Sequence, residues 1–329
     1  MAECSDLYLM IGMRTKLGLF LLVSALAVKA RAGSIVDLAP ALAPSEPREA
    51  RVYSTSAEQA FDAGNYEQAQ NLYQSLLTSV QQTSNAPWIH MRLCRVFEIS
   101  RDQDNWENCL SFLRSGYGRT SKWYSAFHKE PASLAAREEV VATNLRALRS
   151  LFPSNTGKLS SMQTVRREMV LKELNEHYGD LPSMHKVAFQ QARMHHAKNN
   201  LQSAAESYLV AAENSPKSVR AWDGLTLALA EDFQKPESWK KDDWSLVAEN
   251  EPQRQRDENL ASRIQQSVQQ NKVPKQRIDE LNLYSARLYA RCGKTREASG
   301  LLVHVMRNCL DPRFIAVAIK GLMQIYTDN

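Results

Sequence analysis

The sequence is poor in residues that break helices and in runs that form strands. Only 12 glycines and 12 prolines occur among 329 residues. Runs of β-branched residues bounded by turn residues, which are typical of strands, are scarce. Alanine, leucine, glutamine, glutamate and arginine, which favour helices, are abundant. These absences exclude a largely β fold and predict an all-α protein that is long enough to bury a sizeable core.

Motifs of the common enzyme chemistries are also missing. The sequence contains no G-x-S-x-G, H-E-x-x-H, C-x-x-C or G-x-x-x-x-G-K-[ST], so nothing predicts a nucleophile elbow, a zinc protease, a redox pair or a phosphate loop. Glu173 and His177 lie four residues apart on a predicted helix, a spacing that metal ligands use, but no second ligand cluster accompanies them. We therefore predict a non-enzymatic protein without a metal or cofactor.

The sequence also has a small net charge and no long apolar run. The net charge is only +5 and is spread along the chain, which argues against nucleic acid or an anionic membrane as a partner. No apolar run reaches the roughly 20 residues that cross a bilayer.

The one short apolar run has the order of a secretory signal. Arg14 and Lys16 precede residues 17–28, and Ala30 and Ala32 follow them, which gives a basic region, an apolar core and a small-x-small cleavage site. We predict cleavage after Ala32, a periplasmic or secreted protein, and no stable membrane insertion after cleavage. If the segment is not cleaved, it would anchor the protein to a membrane.

Beyond the signal at residues 1–32, the sequence divides into a tether and two helical regions. Residues 33–53 include APALAPSEP and predict an extended tether. Folding is predicted to begin near Ser54, with one helical region over residues 54–152 and another over residues 159–329. The breaker PSNTGK separates them, and an insertion rich in charge interrupts the second at about residues 233–252.

Three stretches share one pattern of small and aromatic residues around a break. Residues 61–77 read FDAGNYEQAQNLYQSLL, with the break at Gly64 and with Ala69 and Tyr73 four residues apart. Residues 187–216 break at Asn199, and residues 281–312 break at Gly293. Spacings of three and four place side chains on one helical face, and glycine at a break permits the left-handed conformation that ends a helix. Each stretch is therefore predicted to be a helical hairpin.

Together these stretches resemble the tetratricopeptide repeat (TPR), a 34-residue helix-turn-helix unit. Pro216 followed by Trp222 and Leu225 matches that unit well, whereas Thr295 stands where the family has an aromatic residue. The resemblance implies a TPR-like superhelical solenoid, in one or two stacked parts, that binds other proteins on its concave surface. It leaves the number of repeats open.

The resemblance also implies which polar residues contact a partner, namely those on or beside the first helix of each unit. In this sequence these are Asn65, Arg193, Lys198, Asn199, Arg287 and Arg291. Such a protein would be an exported scaffold, and the pattern fits a Gram-negative periplasm.

Two aromatic stretches give a second set of candidates. The first contains Trp123 and Tyr124, and the second contains Trp239 and Trp244. If exposed, these side chains would suit contact with a protein or a glycan, and the array would then be an envelope platform that holds glycan or assists a cell-wall enzyme. Alternatively, they cover helix ends.

Four cysteines remain if the signal is removed, and the hairpin interpretation makes the two pairs unequal. Cys94 and Cys109 flank a predicted turn near residue 103 at similar heights, so a disulfide can join them. Cys292 abuts a turn and Cys309 ends the next helix, about 20 Å away, well beyond the ~7 Å limit for Cα atoms. We predict that only the first pair is bridged; alternatively, all four are small buried side chains.

Overall fold

The computed structural model describes residues 48–80, 83–151, 160–234, 244 and 250–327. Within these ranges the chain forms α-helices and a short 3-10 helix, Lys275–Arg277, and no strand. The helices are α1 (Arg48–Asp62), α2 (Tyr66–Val80), α3 (Ala86–Ser100), α4 (Gln103–Gly116), α5 (Lys122–Phe127), α6 (Pro131–Leu151), α7 (Ser161–Tyr178), α8 (Met184–Ala197), α9 (Leu201–Asn214), α10 (Val219–Gln234), α11 (Glu251–Gln269), α12 (Ile278–Arg291), α13 (Thr295–Asn308) and α14 (Pro312–Thr327). The predicted all-α fold is confirmed.

Several sequence predictions fall outside the described residues. They are the signal at 1–32, most of the tether, the breaker at 153–158 and most of the insertion, including Trp239. The tether prediction is wrong at its end, because α1 begins at Arg48 and not near Ser54. The sequence places Pro47 directly before this helix, and proline is favoured at helix starts.

Five helices end in the same way. A residue with positive φ follows the helix, and the next amide donates a hydrogen bond of 2.8–3.0 Å to the carbonyl five residues earlier, which is the longer bond of a Schellman cap. The positive-φ residues are Gly64, Arg101, Asn199, Asn271 and Gly293. The predicted turns at residues 64, 199 and 293 are therefore confirmed, and the turn predicted near residue 103 is present with its positive-φ residue at Arg101. One local motif recurs along the chain, as a repeat protein requires.

The first compact unit extends to Leu113. Helices α1 and α2 pack against each other, and α2 packs against α3. Ala57, Ala69 and Tyr73 are fully buried, so the small residues let the helices approach and the aromatic ring fills the remaining space. The Tyr73 hydroxyl donates to Glu58 at 2.8 Å, and Glu58 also pairs with Arg92 at 2.9 Å. Burial beside Glu58 raises the pKa of Tyr73 well above its ordinary value.

The second compact unit begins at Arg114. From α6 to α10, and again from α11 to α14, each helix packs mainly against its neighbours in the sequence, which is the arrangement of stacked helical repeats. Ala192 and Ala204 are fully buried at the contact of α8 with α9. Trp222 is fully buried in the same core, and its Nε1 donates to the Pro216 carbonyl at 3.1 Å. The predicted Pro216–Trp222 pattern thus joins one repeat to the next.

Ion pairs between buried arginines and partly exposed carboxylates hold the first helices of this unit together. Nε of Arg114 pairs with Glu173 of α7 at 2.5 Å, and its Nη1 donates to Asn144 of α6 at 3.0 Å. Arg137 of α6 donates two hydrogen bonds to Asp180 at 2.7 and 2.8 Å. These hydrogen bonds first, and the charge of Arg137 second, outweigh the opposing effect of burial and lower the pKa of Asp180 below its usual value.

Candidate functional site

Four basic side chains from three helices surround a groove in the second unit. The groove has a volume of about 390 Å³. Its lining comprises Arg149 of α6; His185, Lys186, Phe189, Gln190 and Arg193 of α8; Ala211 of α9; and Ser218, Arg220 and Ala221 at the start of α10. We call this feature the basic groove. It has the volume of a small ligand pocket, and it is open to solvent on one side.

Helix α8 supplies half of the lining residues, more than any other helix, because one of its faces is left uncovered. Lys186, Gln190 and Arg193 follow spacings of four and three and so project from one side of the helix. The opposite side carries Ala188 and Ala192, which are buried in the core. The face with small residues therefore packs against the core, while the face with long polar residues lines the basic groove.

The basic groove combines an apolar floor with a charged rim. Ala211 and Ala221 are buried at 1% exposure each, and the half-buried Phe189 ring meets Tyr208 edge-on, with 5.6 Å between centroids. Arg149 and Arg220 are exposed on the rim. An apolar floor beneath exposed cations suits a ligand with an aliphatic stem and an acidic end.

No acidic residue lines the basic groove, and α8 contains none. Carboxylates of α7, α9 and α10 form ion pairs with residues outside the groove, and three examples are Glu168 with Lys198, Glu213 with Arg263, and Asp223 with Arg277. Among the residues that the structure describes, no ion pair involves Arg149, Lys186, Arg193 or Arg220. The positive charge at the groove is therefore not neutralised within this part of the chain.

A fifth basic side chain, Arg167, contacts α8 and adds to the positive charge near the basic groove. Arg167 of α7 donates to the Gln190 side chain at 2.9 Å. Burial first, and the charge of Arg193 second, lower the pKa of Arg167. Its Nε atom is buried without a hydrogen-bond partner in the described part of the chain. A negative ligand on Arg193 would relieve this like-charge repulsion.

Of the six polar residues predicted to contact a partner, the structure brings only Arg193 to the groove. Lys198 pairs with Glu168, Asn199 provides the positive-φ turn after α8, and Asn65 donates to its neighbour Gln68 at 2.8 Å. These three lie on the surface, and none of them lines the basic groove.

The other two predicted contact residues do not line the groove either. Arg291 is only 5% exposed, pairs with the buried Asp257 and lies 3.6 Å from Asp232. The guanidinium of Arg287 lies 5.0 Å from the centroid of the Phe233 ring and is half-buried. Both arginines contact residues of the same chain, because Asp232 and Phe233 at the end of α10 lie beside α12.

The groove residues that the sequence reasoning missed are Arg149, Lys186 and Arg220. Lys186 had a detectable signal, since it lies two helical turns before Arg193 on the same face. Arg149 and Arg220 belong to other helices, and only the stacking of α6, α8 and α10 brings them to the groove.

The aromatic candidates are not exposed as predicted. Trp123 is 7% exposed and meets Tyr117 edge-on at 5.1 Å, and Trp244 is 3% exposed. Tyr124 is half-buried beneath Arg137, whose guanidinium lies 4.5 Å from its ring centroid. The expectation of exposure is therefore wrong for both described tryptophans, because each indole fills a gap between helices.

Trp244 fills such a gap between α12 and α14. Its indole belongs to a core with Ala286 and Leu302. A Cβ atom built on Gly321 of α14 would come within 2.7 Å of the Trp244 Cε2 atom, so only glycine permits this approach. The guanidinium of Arg287 covers the ring at 5.3 Å.

The cysteines are joined as the hairpin register predicts. Cys94 of α3 and Cys109 of α4 form a disulfide, with Cα atoms 5.5 Å apart. Cys292 and Cys309 are free thiols. Burial, followed by the nearby charge of Asp257, raises the pKa of Cys292 to about 11, so this thiol stays protonated at neutral pH and is a poor nucleophile.

The described ranges contain neither a metal-binding cluster nor a membrane-spanning helix. Nowhere in them do three or more histidine, cysteine, aspartate or glutamate side chains come together in a way that could hold a metal ion. Glu173 pairs with Arg114, and His177 lies 3.2 Å from the Thr120 hydroxyl. None of the described helices combines the length and the apolar character that a membrane span needs.

Comparison with known proteins gives weak likenesses. No protein-family model matches the sequence, and no curated protein matches it. Among solved structures, the C-terminal part of a TPR repeat-containing protein from Cytophaga hutchinsonii is 12% identical; the match covers 80% of this chain and 98% of that one, with a TM-score of 0.25. A tetratricopeptide repeat protein from Parabacteroides merdae is 7% identical over 84% of this chain and 100% of that one, with a TM-score of 0.25.

At these TM-scores the two structures add no detail about this molecule. The TPR-like character rests on its own helices: hairpins with buried alanines, a recurrent left-handed cap and sequential stacking. The described residues form an all-α helical repeat fold.

Proposed function

We propose that the protein is a non-enzymatic scaffold that binds an acidic segment of another protein in the basic groove. The observation that carries the proposal is the convergence of Arg149, Lys186, Arg193 and Arg220 on one groove whose lining holds no carboxylate. Opposite charges steer encounter and select partners. Phe189 and the alanine floor would hold the aliphatic part of the bound segment.

The location forms part of the same proposal. Residues 14–32 have the order of a secretory signal, so we place the scaffold in the periplasm or outside the cell, with other exported proteins as its partners. Mass spectrometry of the N-terminus of protein purified from its source tests this. A chain that begins at Gly33 supports export with cleavage, and a chain that retains residues 17–28 contradicts cleavage and favours the membrane-anchored alternative.

The test of the groove is a binding titration with two labelled peptides of equal length, one of glutamate and one of glutamine. We expect the glutamate peptide alone to bind, and its affinity to fall as salt rises. The double variant Lys186→Glu/Arg193→Glu should lose at least about tenfold in affinity, which corresponds to about 1.4 kcal/mol. That loss is the size expected for a few exposed charges.

The matched control is Arg296→Glu/Arg307→Glu, which makes the same charge change on exposed positions of α13. This control should bind the glutamate peptide nearly as the unmodified protein does. Equal losses in the two double variants would mean that overall charge, and not the groove, holds the peptide. Unchanged binding by Lys186→Glu/Arg193→Glu would refute the groove assignment.

A further inference from the structure

Helix α14 carries apolar side chains on two faces, and only one face is buried. Ala318 and Gly321 point into the core of the second unit with Ile325. On a neighbouring face, Ile319, Met323 and Tyr326 are 41%, 64% and 72% exposed. Apolar side chains on a soluble helix normally face a partner surface, so the second face requires an explanation.

The exposed face forms a regular stripe. Ala316, Ile319, Met323 and Tyr326 are all exposed and follow spacings of three, four and three residues. We call these four residues the α14 stripe. Spacings that alternate between three and four are those of the seam between two paired helices in a coiled coil. The stripe is about 15 Å long and contains no charged side chain.

The order of sizes along the stripe identifies what covers it. The stripe is symmetric in position about residue 321, so two antiparallel copies of α14 place Ala316 opposite Tyr326 and Ile319 opposite Met323 of the second copy. The smallest side chain then faces the largest, and the two medium ones face each other. Alternation of small and large residues is what fills the space between two helices.

We propose that the protein self-associates through the α14 stripe as an antiparallel dimer with two-fold symmetry. Such an interface uses the same patch on both copies. Helix α14 contains no acidic residue, so no charge pattern on it favours a parallel arrangement over the antiparallel one. The fit of sizes selects the antiparallel pairing.

A groove beside the stripe enlarges the contact. It lies between α13 and α14, has a volume of about 680 Å³ and includes Ser299, Gly300, Val303 and Tyr326 in its lining. A Cβ atom on Gly300 would meet nothing within 4 Å, so the groove is open beside the stripe. Side chains from the flank of the opposing α14 have room there. A pair of short helices buries a small area by the standard of stable complexes, so we expect the dimer to depend on concentration.

The test measures mass by sedimentation velocity over a concentration series. For the unmodified full chain, the measured mass should rise with concentration from the 37.2 kDa of one chain towards twice that value. Ile319→Glu and Met323→Lys each place two charges in the interface and should remain monomeric. Both positions are exposed, so neither change should alter the circular dichroism spectrum.

Mixing the two variants tests the register. In a mixed dimer, Glu at position 319 of one copy faces Lys at position 323 of the other, while the second pair keeps Ile319 opposite Met323. The mixture should therefore dimerise although neither variant does alone. The control is Val317→Glu, since Val317 is 41% exposed, like Ile319, but lies on the other side of α14; this variant should dimerise as the unmodified protein does.

Three results would overturn the proposal. One is a monomer at all concentrations, as expected if the stripe is covered by residues 17–28 of the same chain or by a different protein. Another is a dimer that Ile319→Glu and Met323→Lys leave intact. The last is a mixture of these variants that stays monomeric, which would exclude the antiparallel register.

Discussion

Reduction of the Cys94–Cys109 disulfide should lower the free energy of unfolding of the first unit by about 3 kcal/mol. The bond joins α3 to α4 across a sequence separation of 15 residues. A loop of about that length corresponds to roughly 3 kcal/mol of chain entropy removed from the unfolded state. With a urea dependence of about 1–2 kcal/mol per molar, the unfolding midpoint should fall by about 1.5–3 M.

Because the chain contains two compact units, the readout must be local. We would follow hydrogen exchange of peptides from residues 86–116 by mass spectrometry at increasing urea, with and without a reductant. The double variant Cys94→Ala/Cys109→Ala is the matched control, since it retains the free thiols Cys292 and Cys309 and should not respond to reductant.

Two outcomes would refute the reasoning about the disulfide. If reductant leaves the exchange of residues 86–116 unchanged while mass spectrometry shows both thiols reduced, the crosslink contributes no stability. If reductant lowers the midpoint of the double variant equally, the effect comes from the other cysteines.

Two further predictions concern stability. Burial lowers the pKa of His90 from 6.5 to about 4. Between these pH values the unfolded chain binds a proton at His90 and the folded chain does not. The contribution of His90 to the free energy of unfolding is therefore fully present above pH 6.5 and falls by up to about 3 kcal/mol as the pH drops to 4. Urea unfolding of the unmodified protein and of His90→Gln between pH 7 and 4 checks this, and equal pH slopes would contradict it. Gly321→Ala should destabilise the protein by about 1–3 kcal/mol, because its Cβ would collide with the Trp244 ring. Gly300→Ala, which meets nothing within 4 Å, should leave the melting temperature unchanged or raise it slightly, and equal melting temperatures of the two variants would show that Trp244 does not need the glycine.

The hairpins could be predicted because their signals are local. Gly64 and Gly293 adopt positive φ at the ends of helices, and the buried Ala69 and Tyr73 lie four residues apart on one face. A helix cap and a helical face each involve only a few consecutive residues. The Cys94–Cys109 pair could be predicted for the same reason, since one hairpin turn sets the relative heights of both cysteines.

The candidate site could be predicted only in part. Arg193 was found because it lies on the first helix of a recognisable unit, whereas Arg149 and Arg220 come from other helices. The pairing of Arg291 with the buried Asp257 could not be predicted, because Asp257 lies on a different helix. Charge and exposure depend on residues that are distant in sequence, and periodicity carries no information about them.

The sequence by itself determined the class of the fold, the ends of its helices and one disulfide, since hydrogen bonds within a helix and spacings of three and four depend on adjacent residues. Only the tertiary structure decided which surfaces remain available. Stacking gathered four cations from three helices around one groove, buried Trp244 against Gly321 and left the α14 stripe exposed. Burial is a property of the whole array, because each helix is covered by neighbours whose identity its own residues do not encode.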